Sequence, residues 1–150
     1  MSDDSITIRP ATPDDAQVLR DIYAPYVEGT PVTLECTVPS VEEFAGRISR
    51  ILPSYPYLVA QLEGQAVGYA YAAPFRPRAA YIWSVETSIY VRQDLRRKGI
   101  GVRLYSCLES ILRRQNINCI CACVTFPNKD SIHFHSRMGF KKVAQFERCA

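Results

Sequence analysis

The chain lacks any apolar run approaching the roughly 20 residues that a helix needs to cross a bilayer, so no membrane-spanning helix is expected. No secretory leader is expected either. Met1-Ser2-Asp3-Asp4 is acidic, with no basic stretch followed by an apolar one, so the expected address is cytoplasmic. No repeat, linker or low-complexity segment is present. Six cysteines occur without a Cys-x-x-Cys knuckle and second ligand pair, so no metal site is expected. The net charge is only +3, weak support for a polyanionic partner.

What is present belongs to a soluble globular protein. The 150 residues are 47% hydrophobic and 22% charged, most simply one domain over residues 1–150. Cys119, Cys121 and Cys123 alternate along Ile117–Thr125, a predicted strand, and therefore share one face. That face is expected to be a buried packing surface of free thiols.

Ile6–Arg9 reads as a first strand. Thr12-Pro13-Asp14-Asp15 opens a helix to about Val27, with Thr12 as N-cap and Leu19, Ile22, Tyr23 and Tyr26 on its buried stripe. Ser40-Val41-Glu42-Glu43 is a capping box for a second helix that ends before Pro53. Tyr57–Leu62 and Gln65–Ala73 form a hairpin turned at Glu63-Gly64. Ala80–Val91 is a long strand, followed by a helix with Leu104, Leu108, Ile111 and Leu112 on one face. Beyond the strand at Ile117–Thr125 come a short helix, Ser131–Met138, stopped by Gly139, and a last strand, Lys142–Arg148. Strand, helix and strand around residues 80–125 form a crossover, so those two strands should be parallel neighbours. The expected fold is an α/β sandwich, a mixed sheet with helices on both faces.

The most informative stretch runs from Thr87-Ser88-Ile89-Tyr90-Val91 into Arg96-Arg97-Lys98-Gly99-Ile100-Gly101. A strand that turns through basic residues and two glycines into a helix start is a site for an anion. The first amides of a helix have no internal partner, and its dipole makes that end partly positive. Leu104 stands where a dinucleotide fingerprint needs its third glycine, and no Gly-Lys-Ser/Thr follows, so neither common nucleotide loop fits.

The stretch resembles the Arg/Gln-x-x-Gly-x-Gly/Ala pyrophosphate loop of the GNAT superfamily of N-acetyltransferases. Further segments are similar to its phosphinothricin and methionine sulfoximine acetyltransferase branch: Glu28-Gly29-Thr30-Pro31-Val32-Thr33-Leu34-Glu35; Arg76-x-Arg78-x-Ala80-Tyr81-x-Trp83-Ser84-Val85-Glu86; and Pro127-Asn128-x-x-Ser131-x-x-Phe134-His135-x-x-x-Gly139-Phe140. The resemblance implies a mostly antiparallel sheet with one splayed parallel pair, acetyl-CoA as co-substrate, no metal, and a homodimer. Members of that branch usually continue past Phe146–Arg148 with a glycine- and tryptophan-containing segment and a final strand. Here the sequence stops at Ala150, so the acceptor pocket and subunit interface are expected to lack that cover.

On this resemblance, Ile89, Tyr90 and Val91 would pair with the pantetheine amides through their backbone. The amides from Arg97 through Gly99, Ile100 and Gly101 to Val102, with the Arg96 and Lys98 charges, would take the pyrophosphate. Asn128 is a candidate for the pantetheine or thiol end, and Ser131 for either a helix cap or a cofactor contact. Transfer would be direct, in a ternary complex, with Glu86 as general base, made basic by an apolar lining from Tyr81 and Trp83. His135 is either an acid–base group at the thioester or a satisfied helical histidine. A backbone amide near Val91 would serve the developing oxyanion. Arg76 and Arg78 would hold the α-carboxylate of a small amino-acid-like amine, with Leu34 and Tyr81 beside it.

Competing possibilities are another amine acceptor, cysteine nucleophile chemistry, and a non-catalytic CoA or nucleic-acid binder using the basic cluster. No thiol carries a nucleophile signature, and no recognition-helix motif appears. A small-molecule amine is therefore the expected partner, rather than nucleic acid or a membrane.

Overall fold

A computed structural model describes residues 5–149; the acidic Met1–Asp4 stretch and Ala150 lie outside the described residues. Five strands form one sheet in the order β1 (Thr7–Pro10), β2 (Tyr57–Leu62), β3 (Gln65–Pro74), β4 (Ser84–Val91) and β5 (Cys119–Cys121). Successive pairs are antiparallel except β4 and β5, which are parallel, as the crossover between them requires. The mixed sheet with one parallel pair agrees with the sequence-based expectation.

One sheet face is covered by α1 (Ala16–Gly29) and α2 (Val41–Ile51), the other by α3 (Ile100–Arg114) and α4 (Lys129–Arg137). Alternation divides the core. Tyr57, Val59 and Tyr69 pack under α1 and α2, while Leu58, Ala60, Ala70, Ala72 and Val85 pack under α3. Ser40 caps α2 by accepting from the Glu43 amide at 3.1 Å. At the start of α1, Thr12 and Asp15 form a reciprocal capping box, and Asp15 also takes a bidentate pair from Arg9 at 2.6 and 2.9 Å.

Four expectations are corrected. The predicted strand Lys142–Arg148 has no regular structure, and its Val143 and Phe146 are exposed. The Ile117–Thr125 strand shortens to three residues. The cysteine face is open: Cys119 and Cys123 are exposed, because α1 and α2 cover β2, β3 and β4 but contribute no core contact over β5. The long strand also starts later than expected, at Ser84, because Ala79–Tyr81 forms a 3-10 turn.

Among the described residues, no helix is long and apolar enough to cross a membrane, and no cluster of histidine, cysteine or carboxylate could hold a metal ion.

Candidate active site

The ladder between β4 and β5 ends at Glu86 and Cys121, while β4 continues five residues to Val91. From there the strand has one partner only, β3. The phase of that ladder is set by the Phe75 amide bonding the Ser84 carbonyl and the Arg92 amide bonding the Val67 carbonyl. Alternation then turns the backbone groups of Ser84, Glu86, Ser88, Tyr90 and Arg92 toward β3. Those of Ile89 and Val91 face the open edge. Tyr90, predicted alongside them, therefore has its amide in the ladder and its ring among Tyr23, Tyr26 and Tyr69. The Tyr26 hydroxyl donates to the Val91 carbonyl, leaving the Val91 amide and both Ile89 groups on the gap. Sequence spacing carries no signal for that tyrosine.

The chain leaves β4 through a 3-10 turn at Gln93–Leu95 and reaches α3 through two left-handed residues, Arg97 at φ 67° and Gly99 at φ 78°. The first intrahelical bond runs from the Arg103 amide to the Gly99 carbonyl, so Ile100, Gly101 and Val102 present unpaired amides. Around them, Arg96 lies 5.4 Å from the Tyr26 ring centroid, Arg97 makes an exposed 3.5 Å contact to Asp130, and Lys98 is exposed. Basic charge and helix-start amides thus coincide. Gly101 has a different reason to be glycine than the close anion approach expected: a Cβ there would stand 3.1 Å from the Phe134 ring, so it is where α4 closes on α3.

Asn128 caps α4, its Oδ1 accepting from the Ser131 amide at 3.3 Å. Ser131 is thus the capped residue, not the cap, and its hydroxyl lies 3.3 Å from His135 Nδ1. His135 is buried at 8% exposure with both ring nitrogens occupied. Nδ1 donates to the Ser131 carbonyl at 2.8 Å, and Nε2 accepts from the Tyr105 hydroxyl at 3.0 Å. Burial holds its pKa below the usual histidine value. Tyr105 and Thr87, which extend this network (hydroxyls 3.3 Å apart), were invisible to motif reasoning.

Glu86 is half-buried on the α1/α2 face, paired in the ladder with Ala73 and Cys121. The Cys123 thiol donates to its Oε2 at 3.6 Å. Burial, then the Glu86 charge, push that thiol's pKa up, while Arg76 opposes the shift. Arg76, Glu86 and Cys123 therefore share one end of the sheet. The Arg76 guanidinium stacks 4.3 Å from the Phe75 centroid and is exposed, as is Arg78. The expected apolar enclosure by Tyr81 and Trp83 is not formed, since both are exposed. Leu34 is exposed in a left-handed turn at φ 58°, next to Glu35. Glu35 accepts from Arg47 at 2.6 Å and from the Tyr23 hydroxyl, and the guanidinium beside it holds its carboxyl below the usual range.

A strand edge left open past Glu86, a basic helix start with unpaired amides, and a half-buried carboxylate where the parallel ladder ends therefore follow one another along β4 and into α3. Residues 8–150 match the family model described as an acetyltransferase (GNAT) domain. The chain is 34% identical over 135 residues to the phosphinothricin N-acetyltransferase of Streptomyces viridochromogenes, covering 90% of this chain and 74% of that one. It is 34% identical to the L-methionine sulfoximine/L-methionine sulfone acetyltransferase of Pseudomonas paraeruginosa, over 94% of this chain and 83% of the other. The crystal structure of a phosphinothricin acetyltransferase from Sinorhizobium meliloti in complex with AcCoA superposes with a TM-score of 0.87 at 38% identity, over 91% and 75% of the two chains. The chain belongs to the GNAT acetyltransferase family. It is an acetyl-CoA-dependent N-acetyltransferase.

Proposed function

We propose that the enzyme acetylates the α-amine of a small amino-acid-like substrate of the phosphinothricin, methionine sulfoximine or methionine sulfone type, by direct attack in a ternary complex. The observation that carries this is Glu86 at the point where β4 and β5 part, with Arg76 at the same end of the sheet.

Acetyl-CoA lies along the gap edge of β4. The Val91 amide and the backbone of Ile89 pair with its pantetheine arm, and the amides of Ile100 to Val102 take the pyrophosphate with help from Arg96 and Lys98. Glu86 takes a proton from the substrate's ammonium, directly or through one water, so that the neutral amine attacks the thioester carbonyl. The C–S bond then breaks and CoA leaves as the thiolate, which takes up the proton shed by the acetylated nitrogen. Arg76, with Arg78, holds the α-carboxylate. His135 acts as a positioning residue: a neutral imidazole with both nitrogens bonded locks α4 to α3 through Tyr105. Asn128 serves the same helix as its cap. No step uses a cysteine nucleophile, since the thiol nearest Glu86 is pushed toward its protonated form.

Thiol release from acetyl-CoA, measured with amino-acid analogues, polyamines and aminoglycosides, tests the assignment. Amino-acid sulfones, sulfoximines and phosphinates are expected to be turned over first. Preference for a polyamine or an aminoglycoside removes it.

A further inference from the structure

On the face that carries Glu86, a pocket of about 230 Å³ opens between α2 and the strands β2 and β3. Its inner wall is a stack of phenols. The rings of Tyr57, Tyr69 and Tyr71 lie nearly parallel, with centroids 4.7 to 6.4 Å apart. Tyr57 and Tyr69 are 2% and 1% exposed, yet neither hydroxyl has a hydrogen-bond partner among the described residues. The one fully enclosed orphan oxygen among those residues is Thr125 Oγ1, so the two phenol oxygens open on the pocket instead of being sealed in protein. Phenol hydroxyls without a protein partner beside a cavity are free to donate to an incoming acceptor.

The chemistry of the walls limits that occupant. Burial pushes the Tyr57 and Tyr69 pKa values up, so both remain protonated donors at neutral pH. Arg47 lines the same space, fixed by Glu35 at 2.6 Å and Glu43 at 3.1 Å. Glu35 is already taken up by Arg47 and Tyr23, so no free carboxylate invites a cation. Ala73, at the pocket edge, is the ladder partner of Glu86, one strand spacing away, about 5 Å. A side chain of methionine length spans from an amine at Glu86 into this space.

We propose that the phenol pocket receives the acceptor's side chain, with Tyr57 and Tyr69 as specificity-determining donors to its terminal oxygens. This rests on Glu86 marking the reacting amine. A thioether of the same length fills the volume but leaves both hydroxyls unpaired, which is how a hydrogen-bonding site rejects an apolar analogue.

The test compares L-methionine sulfone with L-methionine on the wild type, Tyr57→Phe and Tyr69→Phe, by initial rates and by calorimetric titration in the presence of CoA. Each phenylalanine variant is expected to lower the sulfone-to-methionine ratio of kcat/KM about tenfold, by raising KM for the sulfone and lowering it for methionine, with the melting temperature unchanged. A ratio that stays constant in both folded variants overturns the pocket assignment while leaving the acetyltransferase reading intact. If the wild type acetylates neither amino acid, the proposed substrate class fails, and the titration decides the pocket by itself. Sulfone binding that weakens in the variants then supports it; absent or unaltered binding overturns it.

Discussion

Glu86 and His135 share a neighbourhood by sequence motif but differ in what surrounds them. Glu86 has one weak thiol donor and an open side, which leaves room for an incoming amine. Glu86→Gln is expected to lower turnover by about 10²–10⁴ while acetyl-CoA affinity, read by calorimetry, stays the same. Unchanged turnover would remove the base assignment. His135 is closed on both nitrogens, and its burial favours the neutral ring in the folded state. Its folded pKa lies below the unfolded value of about 6.5, so the unfolded chain binds the extra proton first. The stability it contributes is therefore full above that value and is lost as pH falls below it. Melting temperatures from pH 7.5 down to 5 should decline more steeply for the wild type than for His135→Gln. Parallel curves would mean that His135 is not the buried neutral group described. The carboxylates Asp15 and Glu35, whose pKa values are lowered, carry stability that is lost only at more acid pH, below their usual range.

At the scale of elements, the two glycines of the loop separate conformation from packing. Gly99 needs its left-handed backbone but has open space around a would-be Cβ, so Gly99→Ala is expected to cost about 1 kcal/mol without a clash. Gly101 is helical and tightly opposed by Phe134, so Gly101→Val should cost about 1–3 kcal/mol and loosen α4 from α3. Chemical denaturation of both variants checks the order. A Gly101→Val variant as stable as wild type would contradict the contact. The helices α1 and α2 and the strands β2 and β3 were legible in the sequence, since caps, periodicity and a Glu-Gly turn are local signals. The ladder phase that turns Tyr90 away from the gap, and the exposure of the cysteine strand, were not. Both depend on which neighbour lies across from a residue, and β5 has no helix over its Glu86 side.

For the molecule as a whole, the cofactor is the largest lever on stability. A ligand that binds only the folded state adds about 2.7 kcal/mol at one hundred times its Kd. At roughly 2–4 °C per kcal/mol for a chain of this size, acetyl-CoA should raise the melting temperature by about 5–10 °C. The shift should shrink at high salt, because exposed Arg97 and Lys98 are screened. A salt-independent shift would place the ligand away from the basic loop.

Sequence alone determined most of the elements and the family, because these are written in short-range spacing: caps and glycines at helix ends and apolar residues at a period. Tertiary structure alone decided which amides face the gap, that His135 is saturated through Tyr105, and that Tyr57 and Tyr69 share a pocket with Arg47. Those facts come from residues far apart in the chain, brought together by sheet register and by the helices that pack across it, and no local pattern encodes them.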